Sequence, residues 1–550
     1  MTAPAETMVP AAAAEPADPA AVPGKRPVLL LAVSVALFMV LMDNTVVNVA
    51  VPSIQRSLHA SLGTLEWTVN AYTLAIAVFL VTGGRLGDLL GRRRVFVAGI
   101  VLFALASAAV AAAPSSAAIV AARAGQGVAA AALMPGTLSI LSAAYPREQR
   151  GRAIGIWSGV AGISLVIGPL LGGAIIELVS WRAIFLINVP VSVLAVALTF
   201  VSIRESRDHH EELSFDVPGI VTLSLALGAV TLATIEGNNW GWGSTRILVL
   251  FAVSIVAFAA FIAAERRARA PILDLGWMRS RRISGPNLAS AALAFAMFGM
   301  LFFITIYLQR VLGYNPLKAG AAFLPATVVA ALCAPLAGWL SDRIGTSAPT
   351  IVGLTLAAAA MWIASGVTTT SGYGLMVPAF VLLGAAIAFV IAPTSTAVMN
   401  AVSEARAGVA SGVVSMTRMV GGTFGVAVLG AVFQSVGRDR IQESFVSLGL
   451  PLPKHVDLVK GLGDPSTLPV PPQARAALGE RITTAAHDAL IHALANAMLV
   501  GAGISLAFAI CVWLLLRPGR SATEGARAAE PARPQFAKHA RPLSGHLSDG

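Results

Sequence analysis

The sequence predicts an all-α membrane protein of fourteen spans, arranged as two six-helix halves with an inserted two-helix hairpin. Three observations carry that prediction. Of the 550 residues 56% are hydrophobic and 12% charged, with a mean hydropathy of +0.78, whereas soluble domains carry about 25% charged residues. Apolar runs long enough to cross a bilayer, roughly 20 residues each, recur along the chain. A tight charged turn between two of them, Gly84-Arg85-Leu86-Gly87-Asp88-Leu89-Leu90-Gly91-Arg92-Arg93-Arg94, returns as Gly338-Trp339-Leu340-Ser341-Asp342-Arg343-Ile344-Gly345. Gly, Leu, Asp and Gly keep one spacing in both copies, which points to a duplicated bundle.

Taken in order, residues 1–26 are Ala- and Pro-rich, with Glu6, Glu15 and Asp18. This predicts a disordered cytoplasmic tail without the basic start of a cleaved signal. Spans are expected near 28–51, 66–84, 95–113, 117–142, 153–176 and 183–203, which make the first half within 27–203. Spans near 217–236 and 246–264 lie outside the repeated pattern and form the inserted hairpin, within 204–283. The second half, 284–516, holds spans near 286–309, 318–340, 349–367, 373–397, 408–434 and 492–516. Mixed charges and Pro451, Pro453, Pro471 and Pro472 make 435–490 too polar to span, and an extracytoplasmic loop is expected there. Residues 517–550 predict a second disordered cytoplasmic tail.

The repeat extends beyond the turns. Met134-Pro135-Gly136 and then Arg147 to Gly151 in one half are answered by Ala392-Pro393-Thr394 and then Glu404 to Gly408 in the other. Arg92 to Arg94, Arg147, Arg150, Arg152, Arg204, Arg207, Arg266 and Arg267 fall in loops on one side. Arg56, Arg182, Arg246 and Lys318 stand singly on the other. Such bias marks the cytoplasmic side, so a multi-pass cell-membrane protein with both termini cytoplasmic is expected. It also accounts for the pI of about 10.4 without nucleic acid. Cys333 and Cys511 are too far apart in sequence to suggest a disulfide or a metal site, and no phosphate-binding Gly-rich loop ending in Lys-Ser/Thr occurs.

The residues that could carry chemistry are ionisable groups inside apolar runs. Asp43 follows a long apolar stretch, and beside it Asn44 and Asn48, four apart, share a helix face. Ionisable groups at that depth are rare and mostly line polar cavities. Asp43 reads either as a proton-binding group, since a carboxyl in low dielectric can change protonation with its exposure, or as a structural hydrogen-bonding residue. Arg123, with Gln126 three residues on, is the expected counter-charge, either coupled to Asp43 or in a static salt bridge. The fifth span carries Gly168, Pro169, Gly172 and Gly173, a bent close-packing face suited to a hinge or seam. In the turn, Gly84, Gly87 and Gly91 allow close approach, while Asp88 is placed to pair with Arg92 or to cap a neighbouring helix; Asp342 is its counterpart. Arg418 is a second cation inside a span. Asn48, Tyr72, Gln126 and Arg418 are the expected wall of a substrate cavity.

Together these pieces resemble the major facilitator superfamily and, in the fourteen spans, its drug:proton antiporter branch of the EmrB/QacA type, over about residues 28–516. The turn with Asp88, Gly91 and Arg92 resembles the superfamily's loop motif, and Arg123 to Gly127 its fourth-helix motif, whose arginine is tied to proton coupling. Gly168-Pro169 with Gly172-Gly173 resembles the antiporter motif. Met42 to Pro52 and Trp181 to Pro190 resemble signatures of the fourteen-span branch. The resemblance implies a major facilitator fold, no enzymatic activity and no cofactor. It further implies proton-coupled export of a small lipophilic drug or antibiotic by alternating access, with protons as coupling ion, membrane lipid around it, and function as a monomer. Acidic residues that some exporters of lipophilic cations carry in the tenth and thirteenth spans are absent here, which favours a neutral or weakly acidic cargo. Export of an endogenous metabolite such as a siderophore or lipid-like compound, and solute uptake by symport, are the alternatives.

Overall fold

In hydrocarbon every backbone N–H and C=O must be satisfied within the chain, so apolar runs of this length become helices. The structure, a computed structural model, describes residues 20–58, 62–206, 216–241, 243–268, 271, 273, 275–447 and 472–516. Among them fourteen long helices follow one another. The first half contains α1 (Arg26–Leu58), α2 (Leu62–Leu90), α3 (Arg92–Ala112), α4 (Ser116–Ala144), α5 (Arg147–Leu178) and α6 (Asn188–Ser202, preceded by the turn Ala183–Leu186). The hairpin is α7 (Val217–Trp240) and α8 (Thr245–Arg267). The second half contains α9 (Arg281–Ile306), α10 (Leu324–Ile344), α11 (Ser347–Ser365), α12 (Met376–Ala401), α13 (Ala407–Ser447) and α14 (Pro472–Leu516). Thirteen are apolar and long enough to cross a membrane, and α5, with 32 residues and its charges confined to its two ends, completes the count.

Local chemistry sets the starts. Ser115 Oγ accepts the Ala118 amide at 3.3 Å to open α4, and Asp216 Oδ1 accepts that of Gly219 at 2.9 Å to open α7. Between α2 and α3 the chain reverses at Gly91, whose φ of 108° disfavours a side chain. Glu205, just after α6, then receives the amides of Arg93 (3.0 Å) and Arg94 (3.1 Å), capping α3 from another part of the chain.

Two large apolar cores fill the bundle. Tyr72, Phe96, Phe103 and Leu133 anchor one, which also takes in Val398 and Val414 of the second half; Met300, Phe303, Phe380, Phe433 and Leu490 anchor the other, within the second half. The hairpin leans on α2 and α13 through Val81, Leu223, Leu227, Phe261, Val409 and Val413, and Ser224 donates to the Val78 carbonyl at 3.1 Å. Large apolar side chains such as Leu105, Ile255, Leu332 and Trp362 are exposed around the outside, as a lipid-facing surface requires.

One expected loop is partly helical. Within 435–490, α13 continues to Ser447 and α14 begins at Pro472. Ile441 and Phe445 of one extension pack with Ile482 and Ala486 of the other, and Arg440 Nε pairs with Asp488 Oδ2 at 2.9 Å. Arg438, Asp439, Arg440 and Glu443 make the segment too polar for bilayer, yet charge does not stop a helix whose other face is apolar. Residues 448–471, with Pro451, Pro453 and Pro471, lie outside the described residues. At the amino end, Ala20 to Val22 dock on the end of α6, with Val22 N donating to Ser202 O (3.0 Å) and Arg204 N to Ala20 O (2.8 Å). The tails expected over 1–26 and 517–550 otherwise lie outside the described residues, apart from Pro23 to Arg26 leading into α1.

Candidate functional site

Asp43 sits midway along α1 with no exposed surface, and so does Arg123 on α4. The two form an ion pair through Asp43 Oδ2 and Arg123 Nη1. Asp43 Oδ1 accepts from Gln126 Nε2 at 2.9 Å and from Asn188 Nδ2 at 2.8 Å. Asn188 Nδ2 also reaches Ser107 Oγ at 2.9 Å, and that hydroxyl donates to the Phe185 carbonyl at 2.8 Å. Arg123 Nε donates to Thr68 O at 3.0 Å, Nη1 to Gln126 Oε1 at 2.8 Å, and the guanidinium lies 4.2 Å from the Tyr72 ring centroid. Arg123 Nη2 has no hydrogen-bond partner among the described residues.

Every described neighbour bonded to Asp43 is a donor, and an ionised carboxylate is acceptor-only. The cluster is therefore a set of donors converging on both oxygens of Asp43, with the Arg123 guanidinium on Oδ2.

The antiporter-like face of α5 bears on the same stretch of α1. A Cβ on Gly168 would overlap Thr45 Oγ1, and one on Gly172 would overlap Val46 Cγ2. Those contacts lie two and three residues beyond Asp43, so glycine there lets α5 hold α1 close. Gly173 is half-buried one residue on. Pro169 and Asn48 lie within α5 and α1, with side chains outside the described residues.

At the end of the bundle that carries the charged turns, the halves are clamped together. Asp88, fully buried, pairs with Arg92 at 3.0 Å and accepts the amides of Gly408 and Val409, both at 3.0 Å, at the first turn of α13. Arg92 also bonds the Glu404 carbonyl. Asp342 on α10 accepts the amides of Gly151 (2.9 Å) and Arg152 (3.0 Å) in the first turns of α5. Backbones touch at each clamp: a Cβ on Gly84 would strike the Gly408 carbonyl, and one on Gly338 that of Gly151. Arg150 adds a bond to Asn400 Oδ1 at 2.8 Å.

A family model described as Major Facilitator Superfamily matches residues 33–426. The chain belongs to the major facilitator superfamily. Curated proteins similar to this major facilitator chain include the tetracenomycin C resistance and export protein of Streptomyces glaucescens, 36% identical over 87% of this chain and 89% of that one. The multidrug resistance protein Stp of Mycobacterium tuberculosis is 38% identical over 73% and 75%. The puromycin resistance protein pur8 of Streptomyces alboniger is 31% identical over 92% and 95%. Among solved structures, the human organic anion transporter MFSD10 shares the fold with a TM-score of 0.61 at 14% identity, covering 89% of this chain and 100% of that one.

Within this major facilitator chain, Tyr72 and Gln126, expected on the wall of a substrate cavity, are both packed into the Asp43 cluster without exposed surface, and the Tyr72 hydroxyl donates to Val40 O at 3.1 Å. In this arrangement the flat ring and the amide both contact the arginine. Arg418 lies apart, in the second half, half-buried, with Nη2 donating to Ser395 Oγ on α12 at 2.6 Å and Nε buried without a partner among the described residues. No carboxylate among the described residues pairs with it. Asn188, Ser107, Thr68 and Glu205 belong to the site although sequence reasoning passed over them. Asn188 was visible as the one amide near the start of a very apolar sixth span; Ser107 in an Ala-rich helix gave no signal.

Proposed function

We propose that the chain exports small lipophilic compounds of the antibiotic type across the cell membrane in exchange for protons, by alternating access, and acts as a carrier rather than an enzyme. The turn-bearing end is cytoplasmic on this reading, as the arginine bias suggests. The observation that carries the proposal is the buried Asp43–Arg123 pair with its donors, together with relatives named for resistance and export.

A proton entering from outside neutralises Asp43 and releases Arg123. The clamps at Asp88 and Asp342 then open as the halves rock, and Asp43 loses its proton to the cytoplasm as the pair re-forms. Such a cycle couples only because proton and cargo each have different affinity in the two shapes. Arg418, a guanidinium without a carboxylate, supports a neutral or weakly acidic cargo over a cationic one, since like charge in low dielectric is strongly disfavoured. Protons as coupling ion and action as a monomer are part of the same proposal.

The test is to compare drug susceptibility and cellular accumulation in a strain with and without the gene, starting with tetracenomycin C and puromycin. Lower accumulation of at least one compound in the expressing strain is expected. Unchanged accumulation across a broad panel, or higher accumulation, contradicts export.

A further inference from the structure

Between the hairpin and the second half lies a cavity of about 810 Å3 that shares no residue with the Asp43 cluster. This is within the roughly 300–1,000 Å3 range of small-molecule sites. Leu223 of α7, Phe258 and Phe261 of α8, Leu288 of α9 and Met416 of α13 make it apolar. Two cations line it at the turn-bearing end: Arg266, in the last turn of α8, and Arg279, on the short helix Leu275–Arg279. Both are exposed and neither makes an ion pair among the described residues. A buried carboxylate beside the cavity, Glu265, is engaged by the Leu273 amide at 3.3 Å and does not line it.

The wall also holds an unmet polar atom. Asn287 is only 6% exposed; its Nδ2 donates to Ile283 O at 2.9 Å, and its Oδ1 has no partner among the described residues. An occupant that satisfies all three features has an anionic head, a hydroxyl donor beside it and an apolar body. Phospholipids with a glycerol headgroup meet that description, and basic pockets between membrane helices suit such heads.

We propose that this cavity is a binding site for an anionic phospholipid of the leaflet that borders the basic loops, with Arg266 and Arg279 on the phosphate, Asn287 Oδ1 accepting from a headgroup hydroxyl and an acyl chain against Phe258, Phe261 and Leu288. A cargo that crosses uncharged would have no use for two guanidinium groups that make no ion pair among the described residues. The chain's own carboxyl-terminal segment is a poor occupant, because Arg517, Arg520, Arg527 and Arg533 would meet like charge.

The experiment uses the purified, delipidated full chain in mixed micelles. Its unfolding temperature is followed during titration with dioleoylphosphatidylglycerol, dioleoylphosphatidylcholine or inorganic phosphate. The same titrations are run on R266Q/R279Q, on R266K/R279K and on the cavity-filling Ile262→Trp. Phosphatidylglycerol is expected to stabilise the wild type at a half-saturating concentration roughly tenfold or more below that of phosphatidylcholine. That preference should vanish in R266Q/R279Q and in Ile262→Trp and persist in R266K/R279K. Equal effects of the two lipids on the wild type overturn the proposal, as does a preference that survives both R266Q/R279Q and Ile262→Trp. A matching response to inorganic phosphate also overturns it, since the acyl chain would then be dispensable.

Discussion

Asp88 of α2 and Asp342 of α10 each bind two backbone amides at the start of a helix in the other half, Gly408 and Val409 at 3.0 Å for Asp88, Gly151 and Arg152 at 2.9 and 3.0 Å for Asp342. A carboxylate so placed meets the positive end of the helix dipole, and at Gly408 and Val409, in the first turn of α13, it also satisfies orphan N–H groups. The two contacts are related by the internal repeat, and both close the same end of the bundle.

Neutralising either clamp should therefore loosen that end. Asp88→Asn or Asp342→Asn keeps the shape and removes the charge, at a cost of about 1–2 kcal/mol, which is roughly tenfold in the ratio of closed to open forms. Spin labels at Arg94 and Arg343, both exposed on this end and in different halves, would show a longer and broader distance distribution in each variant, and more so in the double variant. An unchanged distribution means that the clamps do not set the closed state.

The buried ion pair makes an asymmetric prediction. Removing one member leaves the other buried and unpaired, a loss of about 3–5 kcal/mol. Arg123→Gln alone should lower the unfolding temperature in detergent more than Asp43→Asn/Arg123→Gln together. A double variant less stable than the single one contradicts this reading of the cluster.

Close packing of α5 on α1 is the third test. Gly172→Val would press on Val46 and shift α1 beside Asp43, an overpacking cost of about 1–3 kcal/mol. Reduced transport with raised proton leak in proteoliposomes is expected. Gly125→Ala, where a Cβ meets open space, should leave both unchanged.

Asn188 tests the network beyond the pair. Its amide donates to Asp43 Oδ1, so Asn188→Ala removes one of the donors that fix the carboxylate beside Arg123. Asn188→Ala should lower the number of protons moved per cargo molecule in proteoliposomes, with normal amounts of folded protein. An unchanged ratio removes Asn188 from proton handling.

How much of this was legible before the fold was known depends on contrast. Asp43 and Arg123 stand out because an ionisable residue in an apolar run has few structural uses, and the Asp88 and Asp342 turns stand out because they repeat. Ser107 and Asn188 are ordinary polar residues of a membrane helix, and only their meeting at Asp43 gives them a role. Glu205 sits more than a hundred residues from the helix it caps, a pairing that no local pattern encodes. Tyr72 and Gln126 stand out as polar or aromatic residues inside apolar runs, but the contact of Tyr72 with Arg123 and that of Gln126 with Asp43 are long-range pairings that no local pattern encodes. The ends of α13 and α14 were hidden for a different reason. Hydropathy reports where a helix leaves hydrocarbon and says nothing of where it stops.

The most direct measurement is proton movement itself. In proteoliposomes holding a pH-sensitive dye, a compound identified by the susceptibility screen should drive proton flux opposite to its own movement, and an imposed pH gradient should speed its transport several-fold. Asp43→Asn should abolish both effects while the folded protein persists. Cargo transport that ignores the gradient, or a fully coupled Asp43→Asn variant, would contradict the account.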